Sequence, residues 1–153
     1  MINEERHAVN VEKSKHILFK ELSEDKKSPF TTMKDVVLAA ACIGYKNNSR
    51  LPLNNVTKIF EWDRFSPQTD IPFLHALALV ETGDDAVLLN RNKILTIIEE
   101  YANGGINDLH YETIKKPGSA LSNLIDLVLE QSESQSDDES TSTDWDSITS
   151  EIE

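Results

Sequence analysis

The amino-acid sequence predicts an all-α fold, a compact bundle of five or six helices over residues 1–131, followed by a disordered acidic tail over residues 132–153. Three observations carry this expectation. Apolar residues recur at spacings of three and four in several segments between residues 11 and 129, as on the buried stripe of a helix. Glycine or proline punctuates these segments at Pro29, Gly44, Gly83, Gly104, Gly105 and Pro117. The composition then changes abruptly. The last 22 residues hold 8 of the 27 acidic residues, no Lys or Arg, 10 Ser or Thr, and three apolar residues, Trp145, Ile148 and Ile152. Such a stretch cannot bury enough apolar surface to offset the entropy of ordering its chain. Of the net charge of −12, the body with its 15 basic and 19 acidic residues carries −4. A length of 153 residues fits one domain with an appendage and excludes a large multidomain enzyme.

The elements follow in order. Asn10 precedes a short helix over Val11–Leu22, in which Ile17, Leu18 and Leu22 share one side. Ser23–Pro29 is a charged loop, because proline disfavours helix in the residue before it. Thr31 or Thr32 caps a helix from about Met33 to Ile43, whose Val36, Val37, Ala39, Ala40, Ala41 and Ile43 make nearly every face apolar. This helix is expected to be central, with Gly44 as its stop. Tyr45–Asn55 is a polar loop. Val56–Phe65, with Ile59, Phe60, Trp62 and Phe65, is too short to type by periodicity and fits either a helical turn or an edge strand. Asp70 and Pro72 start a helix over Ile71–Thr82 that Gly83 closes. Another begins at Asp84 or Asp85, with a break allowed at Asn90–Asn92, and reaches the paired Gly104 and Gly105. Ile106–Ile114 is a short helix candidate. Leu121, Leu124, Ile125, Val128 and Leu129 form the last amphipathic helix.

The chemistry is sparse. Cys42 is the one cysteine, which excludes an internal disulfide and cannot by itself supply a zinc site. A reducing, cytoplasmic setting is expected, since no apolar run approaches the roughly 20 residues that span a bilayer and Met1–Lys15 is too polar for a signal peptide. No glycine-rich phosphate cradle occurs, and His7, His16, His75 and His110 are scattered. His75 reads as a hydrogen-bonded or partly exposed imidazole in preference to a buried acid or base. Cys42 reads as core packing, because an activated thiol needs a nearby cation or base. Glu81, Glu99 and Glu100 read as solvated helix faces, since adjacent helical residues point in different directions. The expectation is therefore a protein without catalytic residues, cofactor or metal.

Binding is the better prospect. Tyr45, Lys46 and Arg50, extended by Lys58, Trp62 and Arg64, gather cations and flat aromatic surfaces suited to phosphates or to an acidic protein partner. The acidic body favours a protein contact over nucleic acid, whose modules are usually basic. The tail is a second candidate. Trp145, Ile148 and Ile152 would share one side of an induced helix flanked by Asp144, Asp146, Glu151 and Glu153, the form of an acidic docking peptide. Alternatively the tail only solubilises the chain, mimics nucleic-acid charge, or folds back onto the basic loop.

Four stretches carry a family resemblance: KSKHILFKEL from Lys13, PFTTMKDVVLAAACIGYKNNSRLPL from Pro29, IFEWDRFSPQTDIPFLHALALVETGD from Ile59 and ILTIIEEYANGGINDL from Ile94. The chain resembles, from Val11 to about Leu129, the small DNA phosphorothioation (Dnd) system-associated proteins of the fourth type. The most distinctive pieces are the alanine-rich helix ending in Gly44, Tyr45 and Lys46, the Ala78, Glu81, Thr82, Gly83 segment, and Glu100–Gly105. The Ser-rich acidic tail departs from the compact family pattern. The resemblance implies a bacterial accessory protein of systems that replace a phosphate oxygen of DNA by sulfur and restrict unmodified, often phage, DNA; it implies no enzyme and no catalytic residues.

The expected function is thus that of a non-catalytic adaptor in DNA modification-restriction, contacting a larger protein of the complex through the Tyr45–Arg64 surface and the tail, with DNA touched at most indirectly and no membrane partner. The alternative is a DNA-binding regulator of the same system acting through the basic loop.

Overall fold

The computed structural model describes residues 4–139, with side chains described for residues 4–130. The protein is mostly helical but not purely all-α. Strand β1, Ala8–Glu12, pairs antiparallel with strand β2, Val56–Glu61. Helices α1, His16–Glu24, α2, Met33–Lys46, α3, Asp70–Thr82, α4, Arg91–His110, and α5, Ala120–Glu139, make up most of the rest. Short 3-10 turns at Lys13–Lys15, Trp62–Arg64 and Asp85–Leu89 and a π turn at Tyr111–Lys115 connect them.

The sheet corrects the all-α expectation. Residues 8–12 alternate in burial, with Val9 and Val11 inside and their neighbours half-exposed, and these β-branched residues pack well on a pleated surface. The expected helix over Val11–Leu22 is therefore a strand, a 3-10 turn and α1 in succession. Two side chains of α4 seal the outer flank of this segment. The Glu99 carboxylate accepts the Asn10 N–H at 2.6 Å, and Asn92 Oδ1 accepts the Arg6 N–H at 2.7 Å. Glu12 accepts the N–H groups of Asn54 and Asn55 at 2.7 and 3.1 Å and ties down the approach to β2. A register shift lies between Val9 and Asn10. The region left open as helical turn or edge strand contains both, β2 and then Trp62–Arg64.

The centre of the core is α4 rather than α2. Ile94, Leu95, Ile97, Ile98, Tyr101, Ala102, Ile106 and Leu109 are all buried on α4, and α2 lays Val36, Val37, Ala40 and Ala41 against it. The two glycine expectations on this pair fail for one reason. Gly44 does not stop α2, and Gly104 and Gly105 do not break α4, so Ile106–Ile114 is no separate helix; all three sit where backbones meet. A Cβ on Gly105 would overlap the Ala40 carbonyl oxygen, one on Gly44 the Tyr101 oxygen, and one on Gly104 the Ser49 oxygen. The turn out of α2 uses Asn48 instead, at φ +52°, a conformation asparagine tolerates. Gly83 does end its helix, at φ +65° with its N–H on the Leu79 carbonyl.

Other local expectations divide. Thr32 caps α2 by accepting the Asp35 N–H at 3.2 Å. Asn90 accepts the Lys93 N–H at 3.1 Å and starts α4, the break foreseen at Asn90–Asn92. Asp70 is not a cap; Thr69 precedes α3, and the buried Asp70 carboxylate accepts the Ser66 N–H at 2.7 Å and meets the Lys34 ammonium at 2.8 Å. Cys42 is not core packing but open on α2, where it borders an apolar groove. Desolvation there raises the thiol pKa, so it is not activated. The last helix runs past Ser132 to Glu139, and residues 140–153, with Trp145, Ile148 and Ile152, lie outside the described residues. No helix among the described residues is long and apolar enough to cross a membrane.

Candidate functional site

The basic loop is folded onto α4. Ser49 donates its N–H to the Gly44 carbonyl at 2.7 Å and Leu51 to the Glu100 carbonyl at 3.1 Å. Arg50 is carried between the C-terminal end of α3 and the middle of α4. Its Nε donates to Glu100 Oε1 at 2.8 Å and a terminal nitrogen to Glu81 Oε1 at 2.7 Å. The Tyr101 hydroxyl donates to the other oxygen of Glu81, and the guanidinium carbon lies 5.9 Å from the Tyr101 ring centre, closing a ring of Arg50, Glu81 and Tyr101 to which Glu100 is joined through Arg50. Tyr45 adds its edge to Tyr101, with centroids 5.6 Å apart and planes at 74°. Glu81 and Glu100 are thus partners of Arg50, not solvated helix faces.

The electrostatics agree with the geometry. Desolvation and the hydrogen bond to Glu81 push the Tyr101 phenol up to about 12. The Tyr101 hydrogen bond, with Arg50 beside it, holds the Glu81 carboxyl below its usual range against an opposing desolvation. Burial works against the Arg50 charge, but Glu81 and Glu100 outweigh it and raise its pKa. Because the fold favours the protonated phenol, this contribution to stability is complete below the unfolded value near 10 and is lost as pH rises through about 12. In Glu81→Gln, Tyr101 should titrate closer to the ordinary phenol value by ultraviolet absorbance; an unchanged titration would remove Glu81 as the cause.

A second cluster forms around Trp62. The Arg91 guanidinium lies 4.9 Å from the Trp62 ring centre, and the Trp62 ring meets Phe65 edge-on at 5.5 Å. Arg91 also reaches Glu5 at 3.5 Å and donates toward His7 Nδ1 at 3.2 Å. The two clusters border the same cleft. Arg50 and Arg91 line it with Glu5, Leu89, Lys93 and Thr96, around a volume of about 620 Å³. Leu89 stands at its rim 93% exposed.

Of the residues singled out from sequence, the structure brings Tyr45 and Arg50 together and joins Arg50 to the Trp62 cluster through this cleft. Lys46 is exposed at the last residue of α2. Arg64 points elsewhere and lines a separate cleft of about 480 Å³ with Met33, Lys34, Ile59 and Phe60. Lys58 is paired with Glu61 on its own strand. Leu89 and Arg91 were missed, because Leu89 continues an apolar run and a long-range stack leaves no local pattern. A signal for Glu81, Glu100 and Tyr101 did exist. They lie in the stretches that carried the family resemblance, as do the glycines of the α2–α4 crossing.

Searches among curated proteins and among solved structures give no match to the chain. Residues 8–147 match the family described as DNA sulphur modification system-associated protein 4, and the chain belongs to that family.

Proposed function

We propose that the protein is a non-catalytic accessory subunit of a bacterial DNA sulphur modification and restriction system, acting in defence against foreign DNA by contacting a larger protein of that system. The observation that carries the proposal is the cleft between Arg50 and Arg91. Its arginines already hold carboxylates, Arg50 two and Arg91 one, so that even with Lys93 the three cations of the cleft are balanced by three carboxylates, Glu5, Glu81 and Glu100, and the surface carries no net positive charge for a phosphate backbone. The cleft does offer two arginines and a fully presented Leu89, with Trp62 packed against Arg91 and Tyr45 against Tyr101 beside it, the residue types that anchor protein interfaces. Association with the modification system comes from the family. The family match runs to residue 147 and takes in Trp145, so the tail peptide belongs to the proposal as a second contact.

Leu89→Asp should test the contact cleanly, because the side chain is exposed and supports no part of the core. Co-purification of the protein components of the modification system with this chain should fall at least about tenfold, the effect of losing one anchor of about 1.4 kcal/mol. Unchanged recovery after nuclease treatment would contradict the reading. Arg50→Glu is a poorer probe, since it also breaks the contacts of Arg50 with Glu81, Glu100 and Tyr101. The DNA-binding alternative predicts a different result: affinity for a DNA duplex that falls steeply as salt is added, with no protein of the system needed.

A further inference from the structure

We propose that the open edge of β2 takes up an extended segment of a partner protein as a third strand, with an apolar side chain of that segment in the groove beside the edge and a carboxylate on Arg64. The ladder between β1 and β2 fixes which backbone groups are open. Lys13 donates its N–H to the Asn55 carbonyl and Trp62 to the His7 carbonyl, both at 2.7 Å. Residues along an antiparallel pair alternate between facing the other strand and facing away, so Val56, Lys58 and Glu61 face away from β1. Asn10, paired with Lys58, agrees with this, because its N–H also points outward and is taken by Glu99 at 2.6 Å. The outer edge of β1 is thus sealed at Asn10, whereas the N–H groups of Val56, Lys58 and Glu61 meet no acceptor among the described residues.

The groove runs along this edge. Phe60 pairs with the buried Val9 and Glu61 with the half-exposed Ala8, so their side chains lie on opposite faces of the sheet, yet both line the cleft of about 480 Å³. Met33 and Lys34, at the start of α2, line its other side, and Met33, Ile59 and Phe60 give it apolar surface. Lys34 is held by Asp70 and Lys58 by Glu61, but Arg64 is exposed and has no carboxylate partner among the described residues. A peptide backbone supplies the acceptors that the edge lacks, its alternate side chains reach the groove, and an acidic one answers Arg64.

The bulge in β2 selects a straight segment over a second copy of the chain. The outward residues are spaced two and then three apart, from Val56 to Lys58 to Glu61. A straight strand follows such a step, as β1 does on the inner side, where Val11 and Val9 face Thr57 and Phe60. A second β2 brought up antiparallel by a two-fold axis presents the same spacings in reverse order and cannot meet all three.

The probe is a displayed library of random peptides of roughly ten residues, the length of a long strand, selected on the full chain. Selected peptides should carry Asp or Glu and should slow amide exchange at Val56, Lys58 and Glu61. Methylating alternate backbone nitrogens of such a peptide should abolish binding in one phase and spare it in the other. Arg64→Glu, at an exposed position, should weaken the peptide at least about tenfold. Lys58→Pro removes an outward N–H and leaves the bonds to β1 in place, so it should weaken the peptide well beyond Lys58→Ala. Arg64→Glu carries the test alone if the proline variant does not fold. Failure to select a peptide, protection of other segments only, or binding indifferent to these variants would overturn the proposal. So would slowing of the three amides as the chain alone is concentrated, because a second copy would then cover the edge. The outcome is separate from that of the Arg50–Arg91 cleft, which shares no lining residue with this groove and is tested through Leu89.

Discussion

Gly105→Ala should destabilise the fold by about 3 kcal/mol or more, although alanine is favoured over glycine in a free helix by about 1 kcal/mol. The sign is decided by what the new methyl group meets. At Gly105 it meets the Ala40 carbonyl and the Gly44 nitrogen, backbone atoms of α2 that move only if the whole helix is pushed away. That displacement would open the largest contact in the core, the one between α2 and α4. Gly83→Ala is the useful comparison. There the new methyl meets nothing within 4 Å, and the cost, about 1 kcal/mol, is that of the left-handed backbone alone. Urea denaturation of the two variants measures both. Equal costs would mean that the crossing tolerates a wider spacing than its backbone contacts imply.

Glu99→Ala should cost about 2 kcal/mol, because it strips the acceptor from a strand held by only one other strand. The Glu99 carboxylate is almost fully buried and grips the Arg6 guanidinium at 2.9 and 2.7 Å as well as the Asn10 N–H. Arg6 is still reached by water, so its loss of a partner is softer than that of a buried cation. Desolvation raises the Glu99 pKa despite Arg6 and Asn10, so the folded state binds a proton more readily there than the unfolded chain does. Stability from this group therefore falls as pH rises from the ordinary carboxyl value through the raised one. Glu99→Gln should lose that pH dependence while keeping an acceptor for Asn10, and so should be milder than the alanine variant. A glutamine variant as damaging as the alanine one would show that charge, not the hydrogen bond, holds β1 in place.

Much of the helical order was legible because it is written locally. Thr32, Asn90 and Gly83 mark helix ends by chemistry that acts within a few residues. The sheet was not legible, since five residues with two buried valines resemble the first turn of the helix that follows, and only β2 and Glu99, 44 or more positions away, distinguish them. The glycines misled for a related reason. Glycine serves equally to end a helix and to let another backbone approach, and the choice at Gly44, Gly104 and Gly105 is made by the opposite helix. In the candidate site, Tyr45, Arg50 and Trp62 were chosen as cations and aromatics near one another in sequence. The carboxylates that neutralise Arg50 come from α3 and α4, so the change from a basic loop to a charge-balanced surface became visible only in three dimensions.

The central claim is that this cleft meets a protein of the modification system. Amide hydrogen exchange of the full chain, alone, with the purified protein components and with a DNA duplex, tests it most directly. The account predicts new protection at Ser49–Leu51 and at Leu89–Thr96 with the protein components and none there with DNA. Protection of those segments by DNA alone, or none with the protein components, would contradict it.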